Sequence, residues 1–278
     1  MAPPAQPTRC KNELYRAVEC PPRSSSNPPT AMIHPDRSLD SDYRSSHLAK
    51  GAHYDASLAG APFDHYMSEW ERHHVPRIVR ACFPSGVERY LDFACGTGRV
   101  TQLIAPLARE SMGVDISPTM IEEARKKCPA THFHLGDLTR EDPDLGQFDL
   151  ISSFRFFGNA QPDLREAVLT ALVKRMKPDG ALLINSHRNP NALYARLDRL
   201  TGGDAGEMDL TLARLRALLD RHGLRIAISQ PIGTWMYRSR LLATVRPDDP
   251  RALRNEGRFS RPWLTAISPD ALIVARRR

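Results

Sequence analysis

Long apolar runs are missing from this sequence, and none approaches the roughly 18 residues that a membrane-spanning helix requires. Cysteine is scarce. Its five copies, Cys10, Cys20, Cys82, Cys95 and Cys128, are odd in number, widely spaced and without a Cys-x-x-Cys pair. That pattern indicates neither a disulfide framework nor a structural zinc site, so no metal is expected and the reducing cytoplasm is the expected compartment. The opening residues, MAPPAQPTRCKNELYR, lack the apolar core of a signal peptide, and their glutamate argues against a transit peptide. Apolar periodicity is also thin before residue 50, where eight prolines fall between Met1 and Pro35 beside Ser24, Ser25 and Ser26. Such a segment buries too little surface to offset its ordering entropy, and residues 1–49 are expected to form a disordered tail. A chain of 278 residues suffices for one full α/β core and not for two large domains.

What is present is clearest in Tyr90–Val100, YLDFACGTGRV. Tyr90, Leu91 and Phe93 supply a buried strand with Asp92 near its end, and Ala94, Gly96 and Gly98 form a small-residue turn that lets a ligand approach the backbone. A helix is expected from Arg99, with Val100, Leu103, Ile104 and Leu107 on one apolar face. Free N–H groups at such a helix start favour an anionic group. A dinucleotide fingerprint needs glycine at the first, third and sixth positions, and counting from Gly96 the sixth is Thr101. A nucleoside-triphosphate loop needs a Gly-Lys-Ser/Thr ending, and no lysine follows Gly98.

The string resembles the first motif of class I S-adenosylmethionine-dependent methyltransferases, an acidic residue followed by a Gly-x-Gly-x-Gly turn, with Ala94 in place of the first glycine. Further segments match the family in order. Met112–Ile116 is a short strand carrying Asp115, roughly 20 residues past the turn, where an acid meets ribose hydroxyls. Ser117 and Pro118 then open a helix as N-cap and first residue. Thr131–Leu135 reads as the third strand, followed by Gly136, Asp137 and Leu138, where the family's adenine-contacting acid lies. Phe148–Ser153 is the fourth strand. A helix over about Leu164–Met176 leads through a Lys177-Pro178-Asp179-Gly180 turn into a fifth strand, ALLINS. The family fold is a seven-stranded, mostly parallel, doubly wound sheet with an antiparallel last strand and helices on both faces. The resemblance implies S-adenosyl-L-methionine as cofactor.

Residues 50–278 are then one methyltransferase domain: lead-in helices over 50–88, the cofactor-binding core over 89–186, and a substrate-side insert with the last strands over 187–278. In the lead-in, Tyr66, Met67 and Trp70 lie at helical spacing and Pro76 is expected to kink or restart the helix. The resemblance places a lead-in tyrosine, Tyr54 or Tyr66, near the sulfonium or the cofactor carboxylate. It implies cofactor contacts from Asp92, Ala94, Cys95, Gly96, Gly98, Asp115, Ile116, Met120, Asp137, Leu138, Ser153 and Phe154. Later in the chain, Asn191–Leu200 and Thr211–His222 read as helices, with Leu224–Ile232 and Asp270–Ala275 as the last two strands.

For the acceptor, Arg155 follows the fourth strand among Phe154, Phe156 and Phe157, so aromatic walls and one cation would frame a cleft. Arg155, Phe157, Asn159, Trp235 and Tyr237 are the candidate substrate contacts, and Arg155 and His187 the candidate catalytic groups. An unperturbed histidine pKa of about 6.5 suits a general base. Ser153–Asn159 lacks the Asn/Asp-Pro-Pro-aromatic string of nucleic-acid amino-methyltransferases, which favours an oxygen acceptor on a small molecule or sugar-like metabolite. The net charge of +7 arises mainly from Arg238–Arg278, where ten arginines face four acids. That segment keeps a second reading open, an RNA or protein methyltransferase that uses the basic stretch. A non-catalytic S-adenosylmethionine-binding module is the third. The arginines are dispersed, lysine is absent from the segment and the last three are expected at a frayed terminus, so nucleic acid is the less favoured partner and a solvated surface the preferred reading.

Overall fold

The computed structural model describes residues 43–44, 55, 62–200, 210–234, 255–258 and 260–278. Helix α1, Pro62–Cys82, precedes β1 (Val87–Phe93) and a four-residue helix α2 (Thr101–Ile104). Then follow β2 (Ala108–Asp115), α3 (Pro118–Lys127), β3 (His132–Leu135), β4 (Phe148–Ser153), α4 (Pro162–Lys174) and β5 (Met176–Asn185). The chain closes with α5 (Leu193–Leu200), α6 (Leu212–Arg221), β6 (Leu224–Ile232) and β7 (Asp270–Arg277). The seven strands form one sheet in the order β3-β2-β1-β4-β5-β7-β6. β1 to β5 pair in parallel, whereas β7 is antiparallel to both its neighbours, β5 and β6. The expected fold class is the observed one.

Period-two alternation builds a core on each face. Leu91, Phe93, Ile151, Leu182, Ile184 and Ile273 point one way, against Leu164, Val168 and Leu172 of α4 and Leu215 and Leu219 of α6. Tyr90, Leu150, Ala181, Leu183, Leu272 and Val274 point the other way, against Tyr66, Met67, Trp70, Ile78 and Val79 of α1. α1 runs unbroken through Pro76, so the expected restart does not occur.

Three local expectations are corrected. The helix after the turn lasts only four residues and becomes a 3-10 turn, Ala105–Leu107, because Pro106 has no N–H to continue the ladder. β2 starts at Ala108, well before Met112, since its polar first half pairs with β1 and carries cross-strand ion pairs, Arg89 to Glu110 at 3.1 Å and Arg109 to Glu88 at 2.8 Å. Lys177–Gly180 lies inside β5 and not in a turn before it. The register jumps from Phe148↔Met176 to Leu150↔Ala181, and the Lys177 ammonium reaches the Asp149 carboxylate at 2.9 Å.

The chain ends also differ from expectation. Most of residues 1–49 lie outside the described residues, but Tyr43 and Arg44 are placed against the sheet and belong to no disordered tail. The final arginines are bonded and not frayed. Arg276 donates to the carbonyls of Asp179 (2.9 Å) and Cys82 (3.0 Å), Arg277 to those of Val173 (2.6 Å) and Met176 (2.9 Å), and Arg278 pairs with Asp220 (2.6 Å). No described helix is long and apolar enough to cross a membrane.

Candidate active site

Strand order reverses between β1 and β4, and in such sheets the crevice opens beyond the carboxyl ends of those strands. A cleft of about 930 Å³ of empty space, partly open to solvent, lies there. Three strand ends each present a carboxylate to it: Asp92 from β1, Asp115 from β2 and Asp137 beyond β3.

Asp92 is 1% exposed and accepts hydrogen bonds from the hydroxyls of Thr101 and Ser152, both at 2.6 Å. Tyr90 extends that network through a 2.7 Å bond between its hydroxyl and Ser152. Burial pushes the Asp92 carboxyl up to about 6, against the pull of the two hydroxyls and the nearby Arg99 cation. Asp115 accepts from the backbone N–H of Gly96 (2.8 Å) and of Ser117 (2.9 Å), one on each oxygen. It therefore ties the turn to the start of α3. Burial raises its pKa and those N–H bonds oppose the rise. Burial also raises Asp137, but Thr139 (2.6 and 2.9 Å) and Arg44 (2.7 Å) outweigh it and hold that carboxyl below its usual value.

The turn itself is strained where the sequence departs from glycine. Ala94 sits at φ 54°, a left-handed conformation that disfavours a Cβ. Gly96 is also left-handed (φ 54°), and a Cβ there would meet nothing nearer than Met120 Sδ at 4.0 Å. Space is thus kept open beside the backbone, as a close ligand approach requires. At Gly98 a Cβ would come within 3.2 Å of Ala124, so that glycine serves the packing of α3 on the turn and does not line the cleft.

Of the residues expected to contact a cofactor, Asp92, Ala94, Cys95, Gly96, Asp115, Ile116, Met120, Asp137 and Phe154 line the cleft. Burial raises the Cys95 thiol, which keeps it an inert part of the wall. Leu138 and Ser153 are buried and stand outside the lining. Tyr66 is wholly buried and gives its hydroxyl to Glu256 at 2.8 Å, so it packs α1 on the sheet instead of reaching a cofactor. Tyr54, Trp235 and Tyr237 lie outside the described residues.

Of the residues expected to contact an acceptor, Arg155 lines the cleft, with Phe154 and Phe156 beside it, whereas Phe157 and Asn159 do not. Phe157 is fully buried, edge-to-face with Phe156, and Asn159 turns back to donate to the Arg155 carbonyl at 2.5 Å. Arg155 is left-handed (φ 58°) and held from several directions. Its N–H donates to Asn185 Oδ1 (2.5 Å), its carbonyl accepts from the Tyr43 hydroxyl (3.2 Å), and its guanidinium pairs with Asp64 of α1 (2.6 Å). His187 is corrected. It is buried outside the cleft lining, its Nδ1 faces Asp270 Oδ2 at 2.9 Å, and burial beside the Arg155 cation lowers its pKa to about 3. A group so weakly basic and so placed is not the expected general base.

Phe156 lines the cleft as expected, and Tyr43, Arg44, Thr97 and Arg99 enter its wall without having been expected there. Thr97 and Arg99 stand inside the motif turn, and their polar character is a usable signal. Tyr43 and Arg44 have none, because their partners Arg155 and Asp137 lie 112 and 93 positions away.

With this geometry in place, the comparisons are specific. Residues 91–180 match the family model of a methyltransferase domain. The chain is 30% identical over 135 residues to a magnesium-protoporphyrin O-methyltransferase of Rhodobacter capsulatus, covering 40% of this chain and 59% of the relative. It is 27% identical over 172 residues to a dTDP-4-amino-2,3,4,6-tetradeoxy-D-glucose N,N-dimethyltransferase of Saccharopolyspora spinosa, covering 59% and 67%. The matches thus span about three fifths to two thirds of these relatives' length. In fold, the chain is similar to magnesium protoporphyrin IX methyltransferase from Synechocystis PCC 6803 with bound SAH, at TM-score 0.57 and 16% identity, over 84% of this chain and 98% of that one. The chain shares the fold of that solved structure, and its stretch from β1 into β5 carries the match to the methyltransferase-domain model.

Proposed function

We propose that this protein is an S-adenosylmethionine-dependent methyltransferase that methylates an oxygen of a small or sugar-like molecule. The observation that carries this is the row of three aspartates at successive strand ends along one cleft, beside a turn that leaves its backbone open. The row suits a ligand with an ammonium, ribose hydroxyls and an exocyclic amine in line: Asp92 for the first, Asp115 for the second and Asp137 for the third. Each Asp115 oxygen takes one backbone N–H and keeps a lone pair for a hydroxyl. When bound, the sulfonium supplies the driving force for methyl transfer. The chain's residues bind it, exclude water and align the acceptor. Arg155, fixed by Asp64, Asn185 and Tyr43 and flanked by Phe154 and Phe156, would frame the acceptor side.

The relatives' names support a small-molecule acceptor, and the lack of an Asn/Asp-Pro-Pro-aromatic string after β4 favours oxygen over a nucleic-acid amine. The test is a turnover screen with radiolabelled methyl donor against pools of hydroxyl-, carboxylate- and amine-bearing metabolites. Label transferred to an oxygen of a small acceptor is expected. Transfer to RNA or protein, or donor binding with no turnover in any pool, would contradict the proposal.

A further inference from the structure

The acceptor side of the cleft carries charge of one sign. Beyond β4 the chain gives the wall Phe154, Arg155, Phe156, Leu164 and Val168, and Arg155 alone among them is charged. The wall's carboxylates, Asp92, Asp115 and Asp137, stand at or just past the ends of β1, β2 and β3. Its two other arginines are engaged on that same side, Arg44 with Asp137 at 2.7 Å and Arg99 with Glu71. Asp64, which pairs with the Arg155 guanidinium at 2.6 Å, stands outside the wall and backs the cation without occupying the cleft.

Arg155 is held in place at a cost. Ala94, Arg155 and Arg188 are the non-glycine residues of positive φ among those described, and each lies just past the end of β1, β4 or β5. A left-handed arginine persists only where its surroundings over-determine it, and such strain collects at active sites. Here the end of β5 supplies the restraint. Asn185, 1% exposed, accepts from the Arg155 N–H at 2.5 Å, while its own Nδ2 has no hydrogen-bond partner. Leaving that donor buried and unsatisfied costs stability, and what it secures is the position of Arg155.

The β4 side also lacks a proton acceptor among the described residues. Tyr43 donates its hydroxyl to the Arg155 carbonyl, and His187 lies outside the wall with its pKa lowered to about 3. A hydroxyl acceptor must lose a proton as the methyl arrives. An amine that carries a proton is repelled by the Arg155 cation. A carboxylate has no proton to lose, and a guanidinium meets it with parallel N–H bonds.

We infer that the acceptor oxygen belongs to a carboxylate bound by Arg155, and that Asn185 is a positioning residue that fixes the Arg155 peptide. The inference rests on the proposed function and narrows its oxygen to one chemical class. A carboxylate offers about four lone pairs, so one forms the bond to the methyl carbon while others stay on the guanidinium. The methyl–sulfur bond breaks with its electron pair left on sulfur. The opposite charges of carboxylate and sulfonium cancel, no proton moves, and the product is a methyl ester.

Mild alkali releases the methyl of an ester as volatile methanol and leaves methyl ethers and methylamines intact. The full chain is therefore incubated with radiolabelled methyl donor and a small-molecule cell extract supplemented with carboxylic acids and their alcohol and amine counterparts. Label that alkali releases as methanol is expected. In Arg155→Gln this label should fall about 10- to 100-fold while calorimetric affinity for S-adenosylhomocysteine stays within about threefold of the parent's, which also shows that the variant folds. If Arg155→Gln does not bind that ligand, Arg155→Lys, which keeps the charge and loses the fork, should show the selective loss. Asn185→Ala should lower the label by a smaller factor, through the KM for the labelled acceptor, and Asn185→Asp, which keeps an accepting oxygen, should restore most of it. A merely structural role would move the melting temperature without that split. Alkali-stable label on oxygen, or ester label undiminished in the Arg155 variants, would overturn the inference and leave the proposed function standing. Label only on nitrogen, RNA or protein, or none at all, would overturn both.

Discussion

The two sides of the cleft are assembled across very different distances along the chain. On the β1–β2 side, the turn and its acids come from one short stretch. Asp92 meets Thr101 9 positions on, and Gly96 meets Asp115 19 positions on. On the β4–β5 side the partners are remote. Arg155 and Asp64 are 91 positions apart, and Arg155 and Tyr43 112. A site made of local turns is built largely from backbone N–H groups and strand ends, which any ligand of the same shape can reuse. The other side, made of distant pairs, depends on how α1 and Tyr43 dock beside Arg155.

The sharpest way to break this contrast is at the turn. Gly96→Val puts a branched side chain on a φ 54° residue in the space kept open beside the backbone. Cofactor affinity should fall by more than about 100-fold, with both strain and the lost space contributing. Calorimetry measures this, and unchanged binding would remove the turn from the site.

A second, smaller effect is expected at Asp92. Burial raises its carboxyl from an ordinary 3.8 to about 6, so the folded state binds the proton more tightly. Stability contributed by this group is therefore greatest in acid and is lost as pH rises from about 4 to about 6, by up to about 3 kcal/mol for two pKa units. Asp92→Asn should cancel that loss, and the difference in unfolding free energy between variant and parent should grow across this window and level off above it. A flat difference would show that the Asp92 carboxyl is not raised by burial.

At Asp115 the effect is narrower. Asp115→Asn keeps the shape and one acceptor oxygen but turns an amide N–H toward one of the two backbone N–H groups, so cofactor binding should weaken by roughly 1–3 kcal/mol and the melting temperature of the free protein should fall modestly. Equal affinity in parent and variant would detach the end of β2 from the ribose role.

This contrast also explains what could be read from the residues alone. β4 and β6 were legible to the residue because apolar strands there are bounded by polar turns, and Ser117 with Pro118 announced α3 as N-cap and first helical position. The row of three aspartates along the cleft was legible for the same reason, since each stands at or just past the end of its own strand. The shortened α2 was hidden because apolar spacing outweighed Pro106, and the polar start of β2 because cross-strand ion pairs stabilise it and no local pattern shows them. His187 looked like a base because its loop is polar. Its burial against Asp270 comes from β7, which enters the sheet between β5 and β6 from late in the chain.

His187 supplies the smallest expected effect. A general base contributes about 10²–10⁴-fold to turnover, whereas His187→Gln should lower kcat by less than about threefold and leave the pH profile of kcat unmoved. Its cost should appear instead in thermal stability, because Asp270 loses its buried partner. A hundredfold loss of kcat with unchanged stability would return His187 to the chemistry.

The most direct measurement is a parallel calorimetric titration of the full chain with S-adenosylmethionine, S-adenosylhomocysteine, NAD and ATP. The first two should bind saturably and raise the melting temperature, since ligand at 100 times its Kd adds about 2.7 kcal/mol to stability. NAD and ATP should do neither. Saturable binding of NAD with no response to either sulfur ligand would contradict the assignment of the cleft.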